Sequence, residues 1–153
     1  LEQRLFSLGA TVVLLDGSTI RSGLSRELDY SPSDRAEHLR RVAHIAKILN
    51  DQGIITICSF ISPNEDIRNQ CAEIIGTERF HLVYMDADLD FCKSFKPDLY
   101  KKAEEGFIKH LPGVNQEFQA PSRADIVFRP ENNDANLDQI LDYLEMKKIF
   151  PTR

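Results

Sequence analysis

The chain has 153 residues, of which 42% are hydrophobic and 28% charged, with a formal net charge of −5. The length fits one domain, 1–153, with a real core, and the acidic balance excludes a nucleic-acid footprint, leaving local Arg and Lys clusters to suit a small anionic ligand. Three cysteines without a CxxC pair argue against a disulfide framework or a zinc ribbon, and no apolar run reaches membrane-span length, so the expectation is a cytoplasmic protein with no membrane partner.

In chain order, "LEQRLFSLG" (1–9) reads as a helix stopped by Gly9, and "TVVLL" (11–15) as a strand covered on both faces that closes on Asp16. "SPSDRAEHLRRVAHIAKILNDQG" (31–53) predicts the clearest helix. Ser31 caps it, Pro32 suits the first turn, and Asp34 completes a capping box. Its apolar stripe is Leu39, Val42, Ala43, Ala46 and Leu49. A second buried strand follows at 54–59, a helix at 64–76 and a third strand at 81–86. A lysine-bearing helix at 97–110, a strand at 125–128 and an amphipathic helix at 136–146 complete the pattern. Strands alternating with helices predict a three-layer α/β fold, with one mostly parallel sheet and helices on both faces. Ligands of such sheets bind beyond the carboxyl ends of the strands, which sends 16–21, 59–63 and 86–88 towards one cleft.

Several residues near those ends carry chemistry. Asp16 either caps the turn that follows or binds a metal or a proton; spacing alone leaves both open. Arg21 suits a phosphate or sulfate because its planar fork donates two parallel hydrogen bonds. Arg35, His38 and Arg41 are spaced by three and share a helix face, which is either a solvated basic face or an oxyanion site. Ser62, before Pro63, is a helix cap or a site residue. Lys96, Lys101 and Lys102 are surface charge or a lid over a polyanion. The four histidines form no HxH or HxxxH pair, so they suggest no metal site.

These residues resemble the adenylylsulfate kinase (APS kinase) family. Its DGDNVRxGLNxxLGFSxEDRxENxRR stretch is matched by "DGSTIRSGLSRELDYSPSDRAEHLRR", its FISP by residues 60–63, and its CExRDxKGLYKKAR region by "CKSFKPDLYKKAE". The resemblance implies a phosphotransferase with a P-loop-kinase-like fold. It would take ATP and adenosine 5′-phosphosulfate (APS) to ADP and 3′-phosphoadenosine 5′-phosphosulfate (PAPS) with Mg²⁺, in sulfate assimilation. It sets Asp16 beside Mg²⁺ and the acceptor hydroxyl. Ser18, Thr19, Arg21, Arg35 and His38 fall in the APS site, with Tyr30 stacking on the adenine, while Ile61 and Ser62 flank the nucleotide. Ser62 stands where some family members carry a serine described as a phosphoserine intermediate. Lys96 and Lys101 fall on the substrate side, and His110 and Leu111 lie where the second adenine-sandwiching aromatic belongs. A homodimer and an association with ATP sulfurylase are the implied partners.

The chain departs from the family pattern at four places. Ser18 replaces the second acid of DGD, His38 an Asn, Phe95-Lys96 an Arg-Asp pair, and Leu111 a Phe. The family's first strand and its GxxxxGK[ST] phosphate loop, expected just before "LEQRLF", are not in the sequence, which implies either an upstream segment or divergence. The alternative reading is therefore a non-catalytic nucleotide-binding module, and a third is a related kinase with a changed acceptor.

Overall fold

The computed structural model describes residues 1–130 and 133–150; the last three residues of the expected 1–153 domain, with 131 and 132, lie outside the described residues. Its elements follow in chain order as α1 (Glu2–Ser7), β1 (Val12–Asp16), α2 (Gly17–Ser22), α3 (Pro32–Asp51), β2 (Ile55–Ser59) and α4 (Glu65–Ile75). Then come β3 (Val83–Met85), α5 (Leu89–Phe95), α6 (Pro97–Glu104), β4 (Ile126–Phe128) and α7 (Asn133–Met146). Every segment expected to be regular is found. No helix among the described residues is long and apolar enough to cross a membrane.

β1 pairs with β2 in parallel, Val12 opposite Ile55 through Asp16 opposite Ser59. β3 pairs with β4 in parallel, Val83 opposite Ile126 through Met85 opposite Phe128. Parallel pairing in this register sets the carboxyl ends of paired strands side by side, which is what brings Asp16 next to the turn after β2. The single sheet expected from the strand pattern is instead two two-stranded sheets. Between β2 and β3 lies an apolar cavity of about 670 Å³, floored by Leu39 and Val42 of α3 and walled by Ile57, Val83, Ile140 and Leu144. This slot explains a second difference. The strands were expected to be covered on both faces, yet Leu15 is the one buried residue of β1, and the C-terminal residues of β2 are exposed.

The core has two parts. Leu5, Ala10, Ile126, Ile140, Leu141 and Leu144 join α1, α7 and the sheet edges. Ala43 and Ala46 of α3 meet Ile75 of α4, where small side chains let the two helices approach. The start of α3 differs from the expected capping box in its wiring. Ser31 Oγ does accept from Asp34 N–H, at 3.2 Å, but the Asp34 carboxylate accepts from Asp29 N–H and the Asp29 carboxylate from Ser31 N–H. Two interlocked acids thus fix the entry to α3. The lysine helix, expected to run to residue 110, stops at Glu104 because Gly106 takes φ +82° and Phe107 N–H turns back to Lys102 C=O at 2.8 Å.

Leu5 is fully buried where α1 meets both the core and the slot. Truncation (Leu5→Ala) is expected to cost about 2–5 kcal/mol of unfolding free energy, measured by urea titration. A loss below about 1 kcal/mol would show that α1 is not part of the cooperative core.

Candidate functional site

Asp16 ends β1 and is at once the N-cap of α2, a helix whose residues carry no long apolar run and which the sequence alone reads as loop. Its carboxylate accepts from the backbone N–H of Ser18 and Thr19 at 3.0 and 3.1 Å, and from both hydroxyls at 2.5 Å. These four donors, the hydroxyls first, hold the carboxyl far below the usual carboxylate range and so keep it ionised. Of the two readings left open for Asp16 the structure shows the cap, which also leaves an anion at the strand tip. Ser18 and Thr19 serve it as hydroxyl donors.

One and a half turns later α2 presents Arg21. One of its Nη groups donates to Leu28 C=O and Asp29 C=O at 3.2 and 2.8 Å, and its guanidinium lies 4.4 Å from the Tyr30 ring centroid. Arg35, in the first turn of α3, donates to His110 C=O at 3.1 Å and lies 5.7 Å from the same ring. Tyr30 thus lies within reach of two guanidiniums with more than half its surface open to solvent. His38, one turn further along α3, is 3% exposed and meets Phe60 edge-on, with ring centroids 5.4 Å apart. Phe60 in turn lies against Gly17, where an added Cβ would meet it at 3.5 Å, so the turn after β2 is wedged between α2 and α3.

The electrostatics of this cluster are unusual. Arg35 is 7% exposed, and burial followed by the Arg21 charge lowers its pKa. His38 is pushed down to about 4 by burial first, then by Arg21, Arg35 and Arg41. Arg41 is neutralised by Glu37 and Glu27 at 2.9 and 2.5 Å, whereas Arg21 and Arg35 have no carboxylate partner among the described residues. Seven buried side-chain polar atoms among the described residues lack a hydrogen-bond partner, and four belong to Arg21, Arg35 and His38. Donors left open in one place are what an anion site requires before its ligand arrives.

The sequence also singles out residues that the structure places elsewhere. Ser62 is not a helix cap; Asn64 caps α4. Ser62 is held instead through its carbonyl, which accepts from Arg68 at 2.6 Å, and Ile61 beside it is half exposed. Leu111 and His110 sit in a turn pinned by Asn115, with His110 at φ +60° and its carbonyl on Arg35. Lys96 and Lys101 do not close over the cluster. Both are exposed, and Lys101 reaches only Glu105, at 4.0 Å. Asp86 and Asp88, expected at the same cleft, are engaged locally: Asp86 faces Arg129 at 3.6 Å and Asp88 caps α5. No group of three or more His, Cys, Asp or Glu among the described residues is arranged to hold a metal ion. The sequence reading missed Phe60, and it missed Arg68, which is 4% exposed and joins Ser62 C=O to Gln119 C=O. It also missed Ser25, fully buried with an open hydroxyl. Their signals are long-range contacts that spacing does not carry.

Parallel βα units with an acid at a strand tip and an unpartnered guanidinium pair suit an anion-binding α/β fold, and the comparisons with known proteins make that fold a kinase's. The Mycobacterium tuberculosis APS kinase CysC, in complex with AMPPNP and APS, superposes with a TM-score of 0.88 at 33% identity, covering 94% of this chain and 86% of that one. A hexameric APS kinase from Thiobacillus denitrificans, at 21% identity, shares the fold with a TM-score of 0.72. Residues 1–129 match the family described as adenylylsulphate kinase, and the chain belongs to that family. It is 38% identical to the adenylyl-sulfate kinase of Staphylococcus carnosus, covering 98% of this chain and 77% of the relative. Against that of Yersinia pestis it is 37% identical, covering 98% and 71%. It also matches a bifunctional CysN/CysC enzyme from Rhodopirellula baltica at 34% identity, covering 95% of this chain and 23% of the relative. The protein is a kinase of the P-loop fold.

His38 gives this site a signature in stability. A histidine held neutral by folding adds stability above its unfolded pKa near 6.5, and the contribution is lost as pH falls towards 4. Between pH 6.5 and 5 the protein is therefore expected to lose about 1.5 kcal/mol more unfolding free energy than the His38→Asn variant, measured by urea titration of both. Parallel pH profiles would show His38 to be accessible and unperturbed.

Proposed function

We propose that the protein transfers the γ-phosphoryl group of ATP to the 3′-hydroxyl of APS, releasing ADP and PAPS. The observation that carries this reading is the pair of guanidiniums on Tyr30, Arg35 buried and Arg21 half-buried, each with an unpartnered nitrogen and neither with a carboxylate partner among the described residues. In the proposal Arg21 and Arg35 bind the phosphosulfate, Tyr30 stacks on the adenine, and His110 and Leu111 close the far side through the Arg35–His110 contact. Ser62 and Ile61 line the nucleotide side, and Lys96 and Lys101 reach the substrate only if α5 and α6 swing inward.

In-line phosphoryl transfer rests mainly on positioning and charge neutralisation. The new O–P bond forms at the 3′-oxygen as the bond to ADP breaks, and the hydroxyl proton passes to a phosphoryl oxygen or to water; the ionised Asp16 orients the hydroxyl by accepting its hydrogen bond. Mg²⁺, which typically needs only one or two carboxylates besides waters and substrate phosphates, fits a single capped Asp16, and when bound it would neutralise the transferring phosphate. Ser18 donates its hydroxyl to Asp16 where the family pattern has an acid, so this chain supplies one negative charge at the tip of β1 rather than two.

The slot between β2 and β3 belongs to the same proposal. One further parallel strand there would join the two sheets. The strand and phosphate loop that the resemblance sets before residue 1 would then emerge between Ser59 and Met85, one strand away from Asp16. We also propose a cytoplasmic setting, in keeping with three free cysteines. A homodimer and a link to ATP sulfurylase remain part of the reading; the match to the bifunctional CysN/CysC enzyme supports only the link.

Calorimetry with APS tests the site. A hydrogen bond to a charged group is worth about 1.5–3 kcal/mol, so Arg35→Ala is expected to weaken APS binding tenfold or more. Equal affinity in both proteins, with both folded by circular dichroism, would remove the clamp from the substrate site.

Ser18→Asp tests the chemistry. Restoring the second acid is expected to raise PAPS formation from APS and Mg-ATP, at a folding cost within about 1 kcal/mol. Turnover that falls or stays level would show that the hydroxyl on Asp16 is no handicap.

A further inference from the structure

We infer that His38 is a proton-carrying binding residue of the anion site: it takes up a proton when APS binds and, as imidazolium, donates to the phosphosulfate. The inference rests on the reading of the Arg21–Tyr30–Arg35 clamp as the APS site, and it adds a role for a side chain that the family pattern does not have.

Both ring nitrogens of His38 are buried, and neither has a hydrogen-bond partner among the described residues. A nitrogen in that state is costly to bury and is used only if something else arrives. His38 stands three residues after Arg35, on the same face of α3, so a ligand on the open Nε of Arg35 is within one helical turn of the imidazole.

The charged groups facing the ring come from two elements: Arg21 from α2, and Arg35 and Arg41 from α3. Arg41 carries its own carboxylates, Glu37 and Glu27. The turn after β2 contributes only the uncharged Phe60. In the free protein, then, the surroundings of the ring are apolar or cationic and the imidazole is neutral. An anion seated between Arg21 and Arg35 offsets both charges and places negative charge beside the ring. An opposite charge at contact distance raises such a pKa by about 1–3. From the starting value near 4, this brings His38 into range of neutral pH. An asparagine at this position donates a hydrogen bond but cannot take up a proton.

Calorimetric titration of APS in two buffers of different ionisation enthalpy reads the proton directly. About pH 6 is usable because the isoelectric point is about 5.4. For a rise in the middle of that range, binding is expected to take up about half a proton at pH 6 and none at pH 8, with Kd about twofold lower at pH 6. His38→Asn is expected to bind APS with no proton uptake at either pH. Should that variant be poorly folded, the ¹³Cε1 signal of His38 in the unaltered protein gives the same answer, titrating at higher pH with APS than without. APS binding with no uptake, with uptake undiminished in the variant, or with an unmoved His38 titration overturns the inference and leaves the APS site standing. Failure of APS to bind at any pH overturns both.

Discussion

Two guanidiniums share one tyrosine ring, and the rest of the site depends on how they are held there. Removing an arginine from water without a carboxylate beside it is expensive, and Arg35 is both nearly buried and destabilised as a cation by Arg21. Carbonyls of Leu28, Asp29 and His110 and the face of Tyr30 offset part of that cost. What they leave uncompensated is positive potential with open donors. An anionic ligand relieves it, which makes the unsatisfied state of the free protein the source of affinity rather than a defect.

Local rules assemble this arrangement. Asp16 caps α2 and thereby sets the phase that points Arg21 at Tyr30. Asp29 and Asp34 exchange hydrogen bonds around Ser31 and set the start of α3, which fixes Arg35 and His38 on one face. The parallel register of β1 and β2 puts Phe60 between the two helices. Arg41 is the cation that carboxylates neutralise, so the potential concentrates on the other two arginines. Each contact is short-range, but together they bring residues 16, 21, 35, 38 and 60 to one place.

Much of this was legible in the sequence, and for identifiable reasons. Ser31-Pro32 and Gly53 bracket α3 because caps and breakers act locally, and β-branched runs mark β1 and β2. Arg35, His38 and Arg41 stand out because spacing by three puts them on one face. The burial of Arg35 and His38 does not, since a cationic face normally points to water and only the tertiary contacts of Tyr30 and Phe60 say otherwise. α2 was missed because a six-residue helix built on a cap has no apolar period. The split sheet was missed because a strand pattern reports what a strand prefers to be covered by and says nothing of its neighbour. Lys96 and Lys101 were grouped with the site by sequence proximity, whereas Lys96, between α5 and α6, and Lys101, on α6, are both exposed.

The central claim is that the open donors of Arg21 and Arg35 receive the phosphosulfate of APS. Arginine side-chain Nε–Hε resonances report it most directly, followed by ¹H–¹⁵N NMR as APS is added to the protein. The Arg35 Nε–Hε signal, unpartnered in the free protein, is expected to move downfield and to saturate with the same dissociation constant as the calorimetry, while that of Arg68 stays in place. An Arg35 signal unmoved at saturating APS would contradict the account.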